Sequence, residues 1–191
     1  MGFQMKVPRP VRARTASPSA RPELGSGFEL EAGGPTAKPV ITTHRLTYSN
    51  RLRVFLGPDD SVINFLRPLH RLDGFDSYSV NLTRLPHPMP ASEITATLSA
   101  APGRNYVQCI GSADVLAIEL GTEDDGTPRR YLLGLPGDRV GYPGVDVPNG
   151  ADLLRAYPDE IFDAEHAAEV FATYFHTGDI PAGFRLREVL D

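Results

Sequence analysis

Apolar and polar positions fall into three stretches of different rhythm. Residues 1–40 show almost no periodic apolar residue and contain six prolines and five glycines. A segment such as VPRPVRARTASPSARPELGSG cannot bury enough surface to offset its ordering entropy, and it reads as a disordered tail. From about Val40 the pattern becomes a succession of short β-type runs. ITTHRLTYS is a first strand. RLRVFLGPDDSVINFLR reads as a hairpin, two apolar runs joined by Gly57-Pro58-Asp59-Asp60. SYSVNLTRL alternates, with Tyr78, Val80 and Leu82 on one face and Ser79, Asn81 and Thr83 on the other. Pro86, Pro88 and Pro90 then argue against any regular ladder.

PASEITATLSAAPG predicts a short helix with Ser92 as its N-cap, Ile94 and Leu98 one turn apart, and Pro102-Gly103 as its stop. NYVQCIG, DVLAIELG and RRYLLGL are further strands. The last two are joined by a hairpin loop, Thr122–Pro128, built around Asp125-Gly126. PGDRVGYPGVDVPNG is dense in glycine and proline and reads as an irregular surface loop.

The third stretch, FDAEHAAEVFATYFHTGDIPAGFRLREV, has helical rhythm. Asp163 is a good N-cap and Glu165 favours the helix dipole. Ala167, Phe171, Tyr174 and Phe175 recur at i, i+4, i+7 and i+8 on one face. His176 and Gly178 end the helix normally, Asp179–Gly183 turns the chain, and Phe184 and Leu186 alternate with Arg185 and Arg187 in a closing strand. The aromatic stripe is core packing. The elements together predict an α+β fold: a mixed, mostly antiparallel sheet with hairpins, two helices packed on it, and a single domain over residues 41–191.

Composition adds limits. A chain of 191 residues, 41% of them hydrophobic, has room for one ordinary core, and no run approaches the apolar length that spans a bilayer. The single cysteine, Cys109, excludes an intrachain disulfide and lies in an apolar run as a small core residue. A reducing, cytoplasmic setting fits. The tail lacks both the apolar centre of a secretory signal and a twin arginine.

Charge is uneven. Residues 1–40 carry six Lys/Arg against three Glu, or +3; subtracting this from the net −5 leaves −8 for residues 41–191. An acidic body argues against a general nucleic-acid binder and suits a basic partner. Every cation after Lys38 is an arginine, read here as the coding bias of a high-GC bacterium.

Little in the sequence spells out a reaction. GLPGDRVGYPG lacks the lysine of a phosphate loop and does not open a helix. His166 and His176 would lie about 80° apart around a helix and nearly three turns distant, which does not make a metal pair. No Gly-x-Ser-x-Gly elbow is present, and no cofactor or metal site is expected. What stands out is acidic and surface-like: Glu123, Asp124 and Asp125 at a hairpin tip, then Asp138, Tyr142 and Asp146 in the long loop. These six are the candidate partner-binding residues, since charge sets association rate and aromatics anchor an interface.

The final part of the chain, from about residue 90, resembles the first-numbered immunity-protein family of bacterial polymorphic toxin systems. The resemblance rests on Phe175-His-Thr-Gly178-Asp-Ile-Pro181, with Phe184-Arg185-Leu186 following and the hairpin DVLAIELG…RRYLLG before it. The family's usual tryptophan is missing, and Leu186 stands in its place. The resemblance implies a non-enzymatic protein that binds a cognate toxin, in that family often a nucleic-acid deaminase or nuclease, and occludes its active site. Two other classes stay open on the residues alone. A deep pocket with convergent titratable groups would favour a small enzyme or small-molecule-binding protein, and a large exposed apolar groove would favour a secretion-linked chaperone or interaction module.

Overall fold

A computed structural model describes residues 39–100, 103–137, 139 and 141–189, so the expectation for the tail lies outside the described residues except at Pro39 and Val40. Strands β1 (Ile41–Tyr48), β2 (Leu52–Leu56) and β3 (Ser79–Pro90) are followed by β4 (Tyr106–Ser112), β5 (Val115–Asp124) and β6 (Thr127–Gly134). The hairpin β7 (Val145–Asn149) and β8 (Asp152–Ala156) comes next, and β9 (Arg185–Glu188) closes the chain. The helices are α1 (Ile63–Leu69), α2 (Ala96–Ala100) and α3 (Ala164–Thr177). Seven strands form one sheet in the order β2-β1-β3-β4-β5-β6-β9, and β7-β8 form a second. Every strand pairing among the described residues is antiparallel.

The two faces of the large sheet are covered by different things. Helix α3 supplies Ala167, Val170, Phe171, Tyr174 and Phe175 to one face, where they meet Leu46, Val80, Leu82, Val107, Cys109 and Ile118. The β7-β8 hairpin brings Val147 and Ala156 to the other face, over Ile110, Ala117 and Leu132. Double cover explains why DVLAIELG is apolar almost without alternation: Leu116 and Ile118 face the helix while Ala117 faces the hairpin. Cys109 is fully buried, and burial pushes its thiol well above the usual range, so it is an inert core residue.

The helix α3 forms as its sequence dictates. The Asp163 carboxylate accepts the His166 N–H at its start, and Gly178 ends it in the left-handed conformation (φ 81°), donating its N–H to the Tyr174 carbonyl. The Asp125-Gly126 turn also holds, with both residues at positive φ, the geometry of a two-residue hairpin turn.

Four local expectations are corrected. The run after Gly57-Pro58-Asp59-Asp60 is helix α1, not the second arm of a hairpin; Val62, Leu66 and Leu69 recur at helical spacing and pack on the main core. The hairpin is β1-β2 instead, turned by Ser49 and Asn50, both at positive φ. The three prolines do not end β3. Pairing with β1 passes from His44↔Arg84 to Thr42↔Met89, so Leu85–Pro88 bulge out and the ladder resumes beyond them. The ladder with β4 ends at Thr83, and the prolines then forfeit no ladder bond on that side.

Thr95, not Ser92, caps α2, its hydroxyl accepting the Leu98 N–H. The loop after Leu135 is irregular only as far as Gly144, because Val145–Asn149 pairs with β8 and buries Val147. In β9 the alternation stands, and the structure adds its direction: Leu186 is 47% exposed, while Arg185 and Arg187 turn inward to carboxylates. No described helix is long and apolar enough to cross a membrane.

Candidate functional site

Three elements meet at one end of the sheet: the bulge of β3, the C-terminal cap of α3, and the tip of the β5-β6 hairpin. Arg84, the last β3 residue paired with β1 before the bulge, is exposed. Its guanidinium lies over Gly178; a Cβ built at that glycine would stand 2.2 Å from Arg84 Nη1. Gly178 is required by its positive φ; the contact with Arg84 is to the far end of an exposed, flexible side chain, which moves aside at little cost.

Three open hollows surround Arg84 and all include it in their walls. The largest, of about 570 Å³, lies between Arg84, Arg45, Arg104 and Glu123. A second, of about 240 Å³, lies between Arg84, His44, Phe175 and His176. A third, of about 480 Å³, is bounded by Arg84, Glu123, Tyr174, Gly178 and Asp179.

The charges around Arg84 differ in how they are engaged. Arg45 is buried and donates from Nη1 to the carbonyls of Leu98 (3.3 Å) and Ser99 (2.9 Å) in α2. Burial, with Arg53 adding to it, lowers its pKa. Arg104 holds the Glu123 carboxylate at 2.5 Å, and the Glu123 N–H donates to Asn105 Oδ1 at 3.3 Å. By contrast, Arg84, Asp125 and Asp179 have no ion-pair partner among the described residues. His44 is only 5% exposed and stacks on Phe175 at 4.8 Å between centroids. Burial first, and then the charges of Arg84 and His176, push its pKa down to about 4, so the ring is neutral at pH 7. Burial raises Tyr174 to about 12.

The six residues singled out from the sequence do not come together. Glu123 lines two of the hollows, and Asp124 and Asp125 follow it at the hairpin tip. Asp146 sits on β7, paired with Arg155 at 2.6 Å, and Tyr142 is 78% exposed just before that strand. The β7 residue Val147 packs beside Gly111, which pairs with Leu116. Asp124 lies eight residue steps along β5 from Leu116, about 27 Å at roughly 3.4 Å per residue. The two groups are therefore at opposite ends of the sheet. Asp138 lies outside the described residues.

Sequence reasoning missed Arg84, His44 and Asp179. A signal was present: a His-Arg pair inside an otherwise strand-like ITTHRLTYS, and an Arg-Leu-Pro-His-Pro run in which alternate prolines force a strand off its ladder.

A second charged cluster, around Glu160, is of another kind. Glu160 is fully buried (0% exposed), in the 3₁₀ turn Pro158–Glu160. Arg187 grips it with Nε (2.7 Å) and Nη2 (2.8 Å), Arg139 Nη2 adds a bond at 2.8 Å, and the Tyr157 N–H adds one at 3.0 Å. The neighbouring Asp159 accepts from Arg139 and Arg185. Arg139 also lies 4.2 Å over the Tyr157 ring. Four donors on one carboxylate leave it little capacity for a ligand; the cluster clamps β9 and the Arg139 loop to the turn before α3.

No group of three or more potential metal-ligating side chains is brought together among the described residues. Comparison of the chain with models of known families, with characterised proteins and with solved structures yields no match.

Proposed function

We propose that this chain is an immunity-type protein that neutralises a cognate bacterial toxin by binding it and occluding its active site. The observation that carries the reading is a convergence. The Gly178-Asp179-Ile180 turn of the C-terminal motif and Glu123 of the acidic hairpin, far apart in sequence, are walls of one hollow around Arg84. The −8 of residues 41–191 suits a basic, nucleic-acid-processing toxin such as a deaminase or nuclease.

Within that end of the sheet, Asp125 and Asp179 are the carboxylates a basic partner meets first. Glu123 is already held by Arg104, and Asp146, at the other end, by Arg155. An unpaired exposed carboxylate contributes to steering without first breaking an internal ion pair.

The test is to capture the toxin from the native host and measure binding kinetics. Asp125→Arg and Asp179→Arg should slow association, and the defect should shrink as salt screens the long-range field. Tyr142→Ala, at the far end, should leave the dissociation rate unchanged. Normal association of both charge-reversed proteins, with faster dissociation in Tyr142→Ala, would place the interface at the β7 end. Neutralisation of the toxin without a complex between the two proteins would overturn the reading.

A further inference from the structure

We propose that strand β2 is a self-association edge. A second copy of this chain pairs its own β2 antiparallel against it, joining the two seven-stranded sheets across a twofold axis at Val54. The toxin reading is not needed for this.

Backbone geometry comes first. The Ser49 N–H donates to the Ser79 carbonyl at 2.9 Å, in register with the β1-β3 pairs Thr47↔Asn81 and Arg45↔Thr83. Bonding directions alternate along a strand, so Tyr48, Leu46 and His44 turn their backbone groups the other way, to Leu52, Val54 and Leu56 of β2. That leaves the N–H and C=O of Arg53 and Phe55 directed outward, with no partner among the described residues.

The two edges of the sheet are not alike. On β9, Arg185 and Arg187 turn inward to carboxylates, and inward charge discourages edge pairing. On β2, Leu52 and Val54 are 58% and 39% exposed, on the same face of the strand as the buried Leu56.

One antiparallel register satisfies every open group. With Arg53 opposite Phe55 of the second copy, the pair exchanges both bonds, and the twofold repeats it. A shift one way sets Arg53 against Arg53, like charge on like charge. A shift the other way calls on the Gly57 N–H, which already donates to Asp60 Oδ2 at 2.6 Å. In the favoured register Leu52 meets Leu56, Val54 meets Val54, and each Arg53 lies beside a Phe55 ring.

Charge is complementary in the same register. Arg51 and Arg53 stand at the start of β2 and Asp59 and Asp60 just beyond its end, all exposed. Antiparallel self-pairing brings the cationic start of one strand beside the acidic end of the other. The net −8 of residues 41–191 opposes association, but salt screens that field beyond about 8 Å under physiological conditions. Five residues make a small interface, so the dimer is weak, with a Kd of roughly 1 μM to 1 mM.

The experiment is sedimentation equilibrium of the full chain from about 10 μM to about 1 mM. The mass should rise from 20.8 kDa towards twice that value. Val54→Asp sets like charges opposite each other at the axis and should weaken the dimer roughly tenfold or more, with the fold kept by circular dichroism. Val54→Cys gives a second reading. Facing residues at a non-hydrogen-bonded position have Cα atoms about 4.5 Å apart, within disulfide range, so mild oxidation should link two chains. The native Cys109 is fully buried and does not compete. Leu186→Cys, on the opposite edge, should stay unlinked. A monomer mass at every concentration, or a Val54→Asp protein that dimerises like the parent, would overturn the proposal. So would linkage of Leu186→Cys without linkage of Val54→Cys.

Discussion

Replacing Glu160 by alanine removes the centre of the only fully buried carboxylate cluster among the described residues. The carboxylate accepts four hydrogen bonds, three of them from guanidinium nitrogens. Arg139 and Arg187 are themselves about three-quarters buried, at 24% and 27% side-chain exposure, so neither can recover full hydration when its partner goes. Removing one member of a buried pair costs about 3–5 kcal/mol, because the remaining charge stays desolvated and unpaired. Against a typical total of about 5–15 kcal/mol, that is enough to put a marginal domain near its unfolding threshold.

Glu160→Gln keeps the volume but sets an NH₂ group against guanidinium donors, and it should cost nearly as much. Arg187→Lys keeps the charge but loses the fork, and should cost less than Glu160→Ala. The assay is urea unfolding followed by circular dichroism, where the midpoint should fall with the slope unchanged. If Glu160→Ala lowers stability by less than about 1 kcal/mol, the range of a surface pair, the cluster does not clamp β9 to the turn before α3. A double-mutant cycle between Glu160 and Arg187 separates the two cases, since neighbours in one network couple by about 0.5–3 kcal/mol.

Phe171→Ala and Phe175→Ala should each destabilise the fold by about 3–5 kcal/mol in the same assay, because both rings are buried under α3; loss of under 1 kcal/mol would make the helix peripheral. His44 predicts a pH dependence. Its folded pKa, about 4, lies below its ordinary 6.5, so the unfolded chain binds more protons between these values. This contribution is fully present above about pH 6.5 and is lost as pH falls towards 4, amounting to roughly 2–3 kcal/mol. His44→Phe should flatten stability across that window, and an unchanged slope would refute the assignment.

What the sequence disclosed well was decided within a few residues. The cap at Asp163, the left-handed stop at Gly178 and the Asp125-Gly126 turn depend on local backbone geometry, and each stands where the pattern put it. What it disclosed badly was decided at a distance. Gly57-Pro58-Asp59-Asp60 says that the chain turns but not which element comes after the turn, and a short apolar run fits helix or strand equally. Arg-Leu-Arg-Glu in β9 alternates, but alternation cannot say which face is inward. The arginines turn in because Asp159 and Glu160, more than twenty residues earlier, wait on that side. The density of glycine and proline before Asn149 likewise hid β7, whose place depends on the apolar patch of Ile110, Ala117 and Leu132 that it covers.

The arginine bias after Lys38 is the clearest case of one composition carrying two meanings. At Arg51, whose partner Asp76 is 4.0 Å away and highly exposed, any cation would serve, and codon usage is a sufficient account. Elsewhere the planar group is used. Arg187 places two nitrogens, Nε and Nη2, on one carboxylate, and Arg139 lays its guanidinium over the Tyr157 ring. An ammonium is a compact point charge that cannot reproduce these planar arrangements. Arg84 shares their chemistry but not their engagement: it is exposed and has no ion-pair partner among the described residues. Arg187 depends on its fork because burial keeps it from full hydration, whereas Arg84, exposed, has water as its acceptor.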